Sequence, residues 1–208
     1  IKFRKYIEQT PIKYGCNPYQ TNSFISTIND NKLPIEVLNG NPGYINYLDA
    51  FNSWLLVNEA EKNLGYMTAT SFKHTAPAGV GTSKGLITNL EKVLYDLEKY
   101  TDEDLNESHS GRAFVRARNC DPLSSFGDFI AISGIVDETC ARLIKREVSD
   151  GIIARGYTED AFNMLKQKKG GKFTIIKGVW DIDYNRVEYR EIMGVAISQD
   201  CNDEKVLN

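Results

Sequence analysis

The stretch 126-FGDFIAISGIVDETCARLIKREVSDGIIA-154 decides the fold. Residues 126–133 (FGDFIAIS) carry the uninterrupted apolar and β-branched character of a buried strand. Residues 138–148 (ETCARLIKREV) place apolar side chains at helical spacing. Residues 150–154 (DGIIA) form a second short buried strand. Strand, helix and strand in this order predict an α/β layered fold, with helices packed on a mixed or parallel sheet.

The same alternation extends outward. Residues 22–27 and 34–38 read as short strands, and the Gly/Asn/Pro cluster 39–43 (NGNPG) as a loop whose backbone can approach a ligand. Residues 45–63 read as a helix with a broad apolar stripe through Ile45, Leu48, Phe51, Trp54 and Leu55, ended by Gly65. A strand is predicted over 66–72 and an amphipathic helix over 84–99, built on Leu86, Ile87, Leu90, Val93, Leu94 and Leu97. Residues 101–110 are polar and acidic and read as a loop, with His109 exposed to solvent. Helices are expected over 112–118 and 158–169, and strands over 173–177 and 189–198.

The bulk numbers narrow the function classes. The chain has 208 residues, 41% of them apolar and 25% charged, as in a soluble globular protein. Its net charge of −3 gives no global attraction to nucleic acid or to an anionic membrane. No apolar run is long enough to span a bilayer, and no signal peptide is recognisable. The chain starts at Ile1 without an initiator methionine, which hints at a processed chain or an excised piece. Cys16, Cys120, Cys140 and Cys201 are scattered, with no CxxC pair and no histidine at ligand spacing. That pattern argues against a structural zinc site and a disulfide framework, and for reduced thiols in a cytoplasmic protein.

Of two histidines, His74 follows Lys73 at the end of the 66–72 strand. Neighbours on a strand point to opposite faces, so both can serve one site only if the backbone bends there. Pro77 and Gly79 predict that bend. Taken alone, a Lys-His dipeptide is most often two ordinary strand-end residues.

Five stretches together resemble one family: KYGCNPYQ (13–20), LPIEVLNGNPGYINYLDAFNSW (33–54), TSFKHTAPAG (70–79), RARNCDPLSSFGDF (116–129) and REVSDGIIARGY (146–157). They are similar to the first half of the AICAR formyltransferase region of the bifunctional purine-biosynthesis enzymes. The resemblance implies a cytidine-deaminase-like α/β subdomain without catalytic metal, and a homodimer with active sites shared between subunits. It also implies formyl transfer from the cosubstrate 10-formyltetrahydrofolate to the 5-amino group of AICAR. Residues 1–208 would then be the N-terminal part of that domain, without its second half and without the cyclohydrolase domain.

By that resemblance Lys73 and His74 are the catalytic pair. His74 suits the proton transfers, because imidazole titrates near neutrality. Lys73 suits the developing oxyanion as a charge-assisted donor. Lys13 and Tyr14, where the family carries Arg-Tyr, fall at the nucleotide-phosphate position. Lysine binds phosphate as a point charge without arginine's fork. Asn39, Gly127 and Asp150 fall at further substrate-binding positions. Their structural alternatives are an Asx turn, a strand-entry glycine and a helix-to-strand junction. Asp128 is expected to order its loop. Tyr19, Ala76 and Arg155 depart from the family's His, Ser and Pro. A second reading is a non-catalytic subdomain that binds nucleotide and dimerises. A third, a deaminase, is disfavoured by the missing zinc ligands.

Overall fold

The computed structural model describes residues 5–28, 32–180 and 187–202. Ile1 and the terminal Val206–Asn208 lie outside the described residues. The elements run β1 (Tyr6–Pro11), β2 (Phe24–Ile28), β3 (Ile35–Asn39), α1 (Tyr44–Leu64), β4 (Thr68–Lys73), β5 (Ala76–Thr82), α2 (Asn89–Leu94), α3 (Asp102–Glu107) and α4 (His109–Arg118). They continue with β6 (Asp128–Val136), α5 (Glu138–Arg146), β7 (Ser149–Tyr157), α6 (Glu159–Lys166), β8 (Thr174–Gly178), β9 (Val187–Ile192) and β10 (Val195–Asp200).

A six-stranded mixed sheet in the order β3-β8-β7-β6-β4-β5 forms the centre. β6, β7 and β8 are mutually parallel, joined through α5 and α6, while β3, β4 and β5 pair antiparallel. The opening stretch is therefore a β-α-β unit as its pattern predicts. Alternation along β6 divides the core between two faces. Phe129 and Ala131 pack with Trp54 and Val57 of α1. Ile130 and Ile132 face the other way, into a cluster that contains Phe114 of α4, Leu143 of α5 and Leu165 of α6. The chain is thus an α/β layered fold.

Several expectations need correction. The helix expected over 84–99 shrinks to α2. Thr88 accepts from the Glu91 amide while the Glu91 carboxylate accepts from the Thr88 amide, a capping box that fixes the start. Asp96, at φ 53°, halts the helix soon afterwards. Ile87 and Leu97 are buried, but Leu86, Leu90, Val93 and Leu94 are exposed. The 101–110 loop contains α3, whose N-cap Thr101 accepts from the Asp104 amide and whose first turn is acidic. His109 is exposed, as expected, but opens α4. Residues 189–198 are two strands, β9 and β10, joined at Met193–Gly194. β1 was not anticipated; it pairs with β2 in a separate ribbon.

The bend near Lys73 also lies elsewhere than expected. Pro77 and Gly79 belong to β5, and the chain reverses at His74–Thr75. β5 packs tightly under α4: a Cβ built on Gly79 would stand 2.1 Å from the Ala117 carbonyl oxygen, and one on Gly81 would stand 2.4 Å from the Ala117 nitrogen. Only glycine permits that approach.

Candidate functional site at one edge of the sheet

The strand directions gather five of the seven expected site residues on one edge. β3 and β4 end there, while β6, β7 and β8 begin there. The pairs Asn39↔Ile175, Gly151↔Thr174, Asp128↔Ser149 and Phe72↔Phe129 mark it out. Asn39, Asp150, Gly127, Lys73 and His74 follow one another along it. For the parallel strands this is the amino edge. The usual preference for carboxyl ends therefore holds only for β3 and β4.

His74 has φ 52° and Thr75 φ 65°. Two consecutive left-handed residues give the tight two-residue turn that matches strand twist, a place normally held by Asn-Gly. Each non-glycine residue there costs about 1–2 kcal/mol. The turn is held from behind by Asp49 of α1, whose Oδ1 accepts from the Thr75 amide at 2.6 Å. Asp49 is only 5% exposed. Burial raises its carboxyl above the ordinary range, with Asp150 adding to the rise; the amides of Thr75 and His74 and the His74 ring act against it.

Lys73 is half-buried, and its ammonium donates to the Phe126 carbonyl. That carbonyl precedes Gly127, whose φ of +75° requires glycine. A Cβ on Gly127 would lie 3.8 Å from Lys73 Nζ. Gly127 also donates to the Val148 carbonyl at 2.9 Å, tying the loop to the entry of β7. Beneath it, the Ser71 hydroxyl donates to Asp128 Oδ2 at 2.6 Å and lies 2.8 Å from the Ser125 hydroxyl. Asp128 is fully buried at the start of β6, and its side chain bonds to Ser71 of β4. Burial raises its carboxyl, opposed by the Ser71 hydroxyl and Arg118.

A cleft of about 460 Å³ opens against the turn, lined by Lys73, His74, Ala76, Pro77, Ala78, Asp121 and Ser124. His74 is exposed to it. Asp121 accepts from the Ser124 amide at 3.0 Å and from its hydroxyl at 2.5 Å, and these bonds lower its carboxyl.

The remaining expected residues have other engagements. The Asn39 amide donates to the carbonyls of Phe173 at 2.7 Å and Gly171 at 3.1 Å, so it pins the turn before β8 rather than its own backbone. Asp150 pairs with Lys169. Lys13 and Tyr14 follow β1 on the separate ribbon, with Lys13 Nζ 5.6 Å from the Tyr14 ring centroid. They belong to the connection between β1 and β2, outside the six-stranded sheet. Arg155 stacks on Trp180 at 3.5 Å and pairs with Glu61 at 3.1 Å, further along β7. Tyr19 is 80% exposed.

Sequence reasoning missed Asp49, Asp121 and Ser124. Asp49 carried no clear signal: the positions that share its helix face are Ile45, Asn46, Asn52 and Ser53, mostly polar. Among the described residues, no group of three or more His, Cys, Asp or Glu is placed to hold a metal ion, and no helix is long and apolar enough to cross a membrane.

Comparison with known proteins agrees with the resemblance. The family model described as AICARFT/IMPCHase bienzyme matches residues 2–208. The "Bifunctional purine biosynthesis protein PurH" of Ruminiclostridium cellulolyticum is 27% identical over 203 residues, covering 96% of this chain and 34% of that protein. The protein of the same name from Petrotoga mobilis is 26% identical over 211 residues, covering 100% and 35%. That from Elusimicrobium minutum is 30% identical over 159 residues, covering 76% and 25%. The chain thus spans about a third of the length of the first two relatives.

Proposed function

Because the chain belongs to the AICARFT/IMPCHase bienzyme family, we propose that it serves purine biosynthesis, and that its Lys73–His74 edge carries formyl transfer from 10-formyltetrahydrofolate to AICAR. The carrying observation is the left-handed His74–Thr75 turn, which sets an ammonium and an imidazole on one cleft. The 5-amino group of AICAR is a poor nucleophile, because its lone pair is drawn into the ring. As it attacks the formyl carbon, His74 takes its proton and Lys73 stabilises the oxyanion of the tetrahedral intermediate. Collapse of that intermediate breaks the bond to N10, which receives a proton as the folate leaves. Asp150 and the backbone around Gly127 are the groups on the same edge for the nucleotide. Lys13 and Tyr14 would supply the phosphate contact from the ribbon, and Asn39 would use the oxygen of its amide. We take the working form to be a cytoplasmic homodimer of cytidine-deaminase-like subdomains without catalytic metal. The exposed Leu86, Leu90, Val93 and Leu94 support self-association.

Single-turnover assay of the native protein tests this reading. His74→Ala should slow formyl transfer by about 10²–10⁴-fold, the usual worth of a general base. A variant at the wild-type rate would refute it.

A second reading is a subdomain that binds nucleotide without turning over. Two engagements favour it: the Lys73 ammonium is held by the Phe126 carbonyl, and the Asn39 amide by the 171–173 segment. Calorimetric titration of the native protein with AICAR, run beside the formyl-transfer assay, separates the two. Binding without formyl transfer in the native protein supports the second.

A further inference from the structure

We propose that Asp49 is the positioning residue of the candidate catalytic turn: its buried carboxylate holds His74 and Thr75 left-handed and so sets the imidazole over the cleft. This rests on the formyl-transfer reading of the same edge. The turn's own residues explain only half of its conformation. Glycine and asparagine adopt it readily and histidine is enriched at positive φ, but a β-branched residue such as Thr75 is among the least suited to it. Yet His74 and Thr75 occupy both central positions. The stabilising group comes from outside the hairpin, 26 residues earlier in the chain. Asp49 Oδ1 accepts from the Thr75 amide at 2.6 Å, a charge-assisted hydrogen bond. The His74 amide faces the same carboxylate.

Asp49 itself is rigidly placed. It lies on α1, one residue before the fully buried Ala50 and five before Trp54, which packs against Phe129 and Ala131 of the sheet. At 5% exposure it is shielded from a substrate in the cleft, so its effect passes through the turn. The groups around it are the His74 ring and the Asp150 carboxylate. The carboxylate thus adds a polar tie between helix α1 and the hairpin turn to the packing of α1 on β4.

Three variants of the native protein test the clamp, with formyl transfer measured per folded site. Misplacing a reacting group by about 1 Å can cost 10²-fold in rate. Asp49→Ala should therefore lower kcat about 10- to 100-fold while KM for AICAR changes less than about 3-fold. Asp49→Asn keeps an acceptor oxygen and should stay within about 5-fold of wild type. Adding Thr75→Gly to Asp49→Ala removes one unfavourable left-handed side chain and should recover about 5-fold or more of the lost rate. Amide hydrogen exchange gives a readout independent of catalysis: the Thr75 amide should be protected in wild type and Asp49→Asn, and unprotected in Asp49→Ala. Wild-type kcat in Asp49→Ala with only a lower Tm would overturn the proposal, as would an unprotected Thr75 amide in wild type. If His74→Ala leaves formyl transfer intact, the catalytic reading fails, while the Thr75 amide still decides whether Asp49 holds the turn.

Discussion

Gly79 of β5 lies so close beneath α4 that the Ala117 carbonyl oxygen would stand 2.1 Å from a Cβ at that position. The contact binds the strand that carries Ala76, Pro77 and Ala78, one wall of the cleft, to the helix layer. Gly79→Ala or Gly81→Ala should therefore push β5 away from α4, at a cost of about 1–3 kcal/mol or more. The check is a denaturant midpoint shifted downwards, accompanied by loss of whatever ligand binding the wild-type chain shows.

Gly127 couples backbone conformation to the Lys73 ammonium. Gly127→Ala must place a side chain at φ +75°, costing about 1–2 kcal/mol. The Phe126 carbonyl that receives Lys73 lies one residue away. The expected outcome is a modestly lower Tm together with a disproportionate fall in formyl-transfer rate, measured on the same samples.

Leu90 and Leu97 share one apolar sequence pattern but not one fate. Leu97 is fully buried and Leu90 is 67% exposed. Leu97→Ala should cost about 2–5 kcal/mol. Leu90→Ala should stay within about 0.5 kcal/mol. Urea denaturation of the two variants side by side gives the answer.

Asp128 sets a pH dependence whose sign is fixed by burial. Its carboxyl is raised in the folded chain, so folding favours the protonated form. The stabilisation from this group is complete below the unfolded carboxyl value of about 4 and is lost as pH rises through the raised folded value. Asp128→Asn keeps the size and cannot ionise. Its stability relative to wild type should therefore rise with pH across that window and then level off. Chemical denaturation at several pH values from about 3 upwards reads it out.

The layered fold was legible because it rests on patterns that tertiary context rarely overrides. Phe129 to Ile132 form an unbroken apolar run, and the apolar positions of α5 recur at helical spacing. What failed was decided by local hydrogen bonds that an apolar pattern does not show. The capping box at Thr88 and the left-handed Asp96 cut the expected 84–99 helix to six residues. The reversal at His74–Thr75 was not legible because Thr75 is β-branched and disfavours positive φ; part of its support is Asp49, distant in sequence. The placement of Asn39, Gly127 and Asp150 at the same end of the sheet as Lys73 follows from strand order and direction, which one sequence does not spell out. Lys13 and Tyr14 came from motif position alone; of the ribbon that carries them, the 22–27 strand was legible as β2 but β1 was not.

The most direct test of the account is chemical rescue. His74→Gly in the native protein removes the imidazole and leaves a turn residue that tolerates positive φ. The account predicts that formyl transfer to AICAR falls by about 10²-fold or more, and that added imidazole restores part of it with a dependence on free-base concentration. A His74→Gly protein with unchanged rate, or one whose lost rate no small base recovers while the fold and AICAR binding are intact, would contradict the assignment of His74 as the proton acceptor.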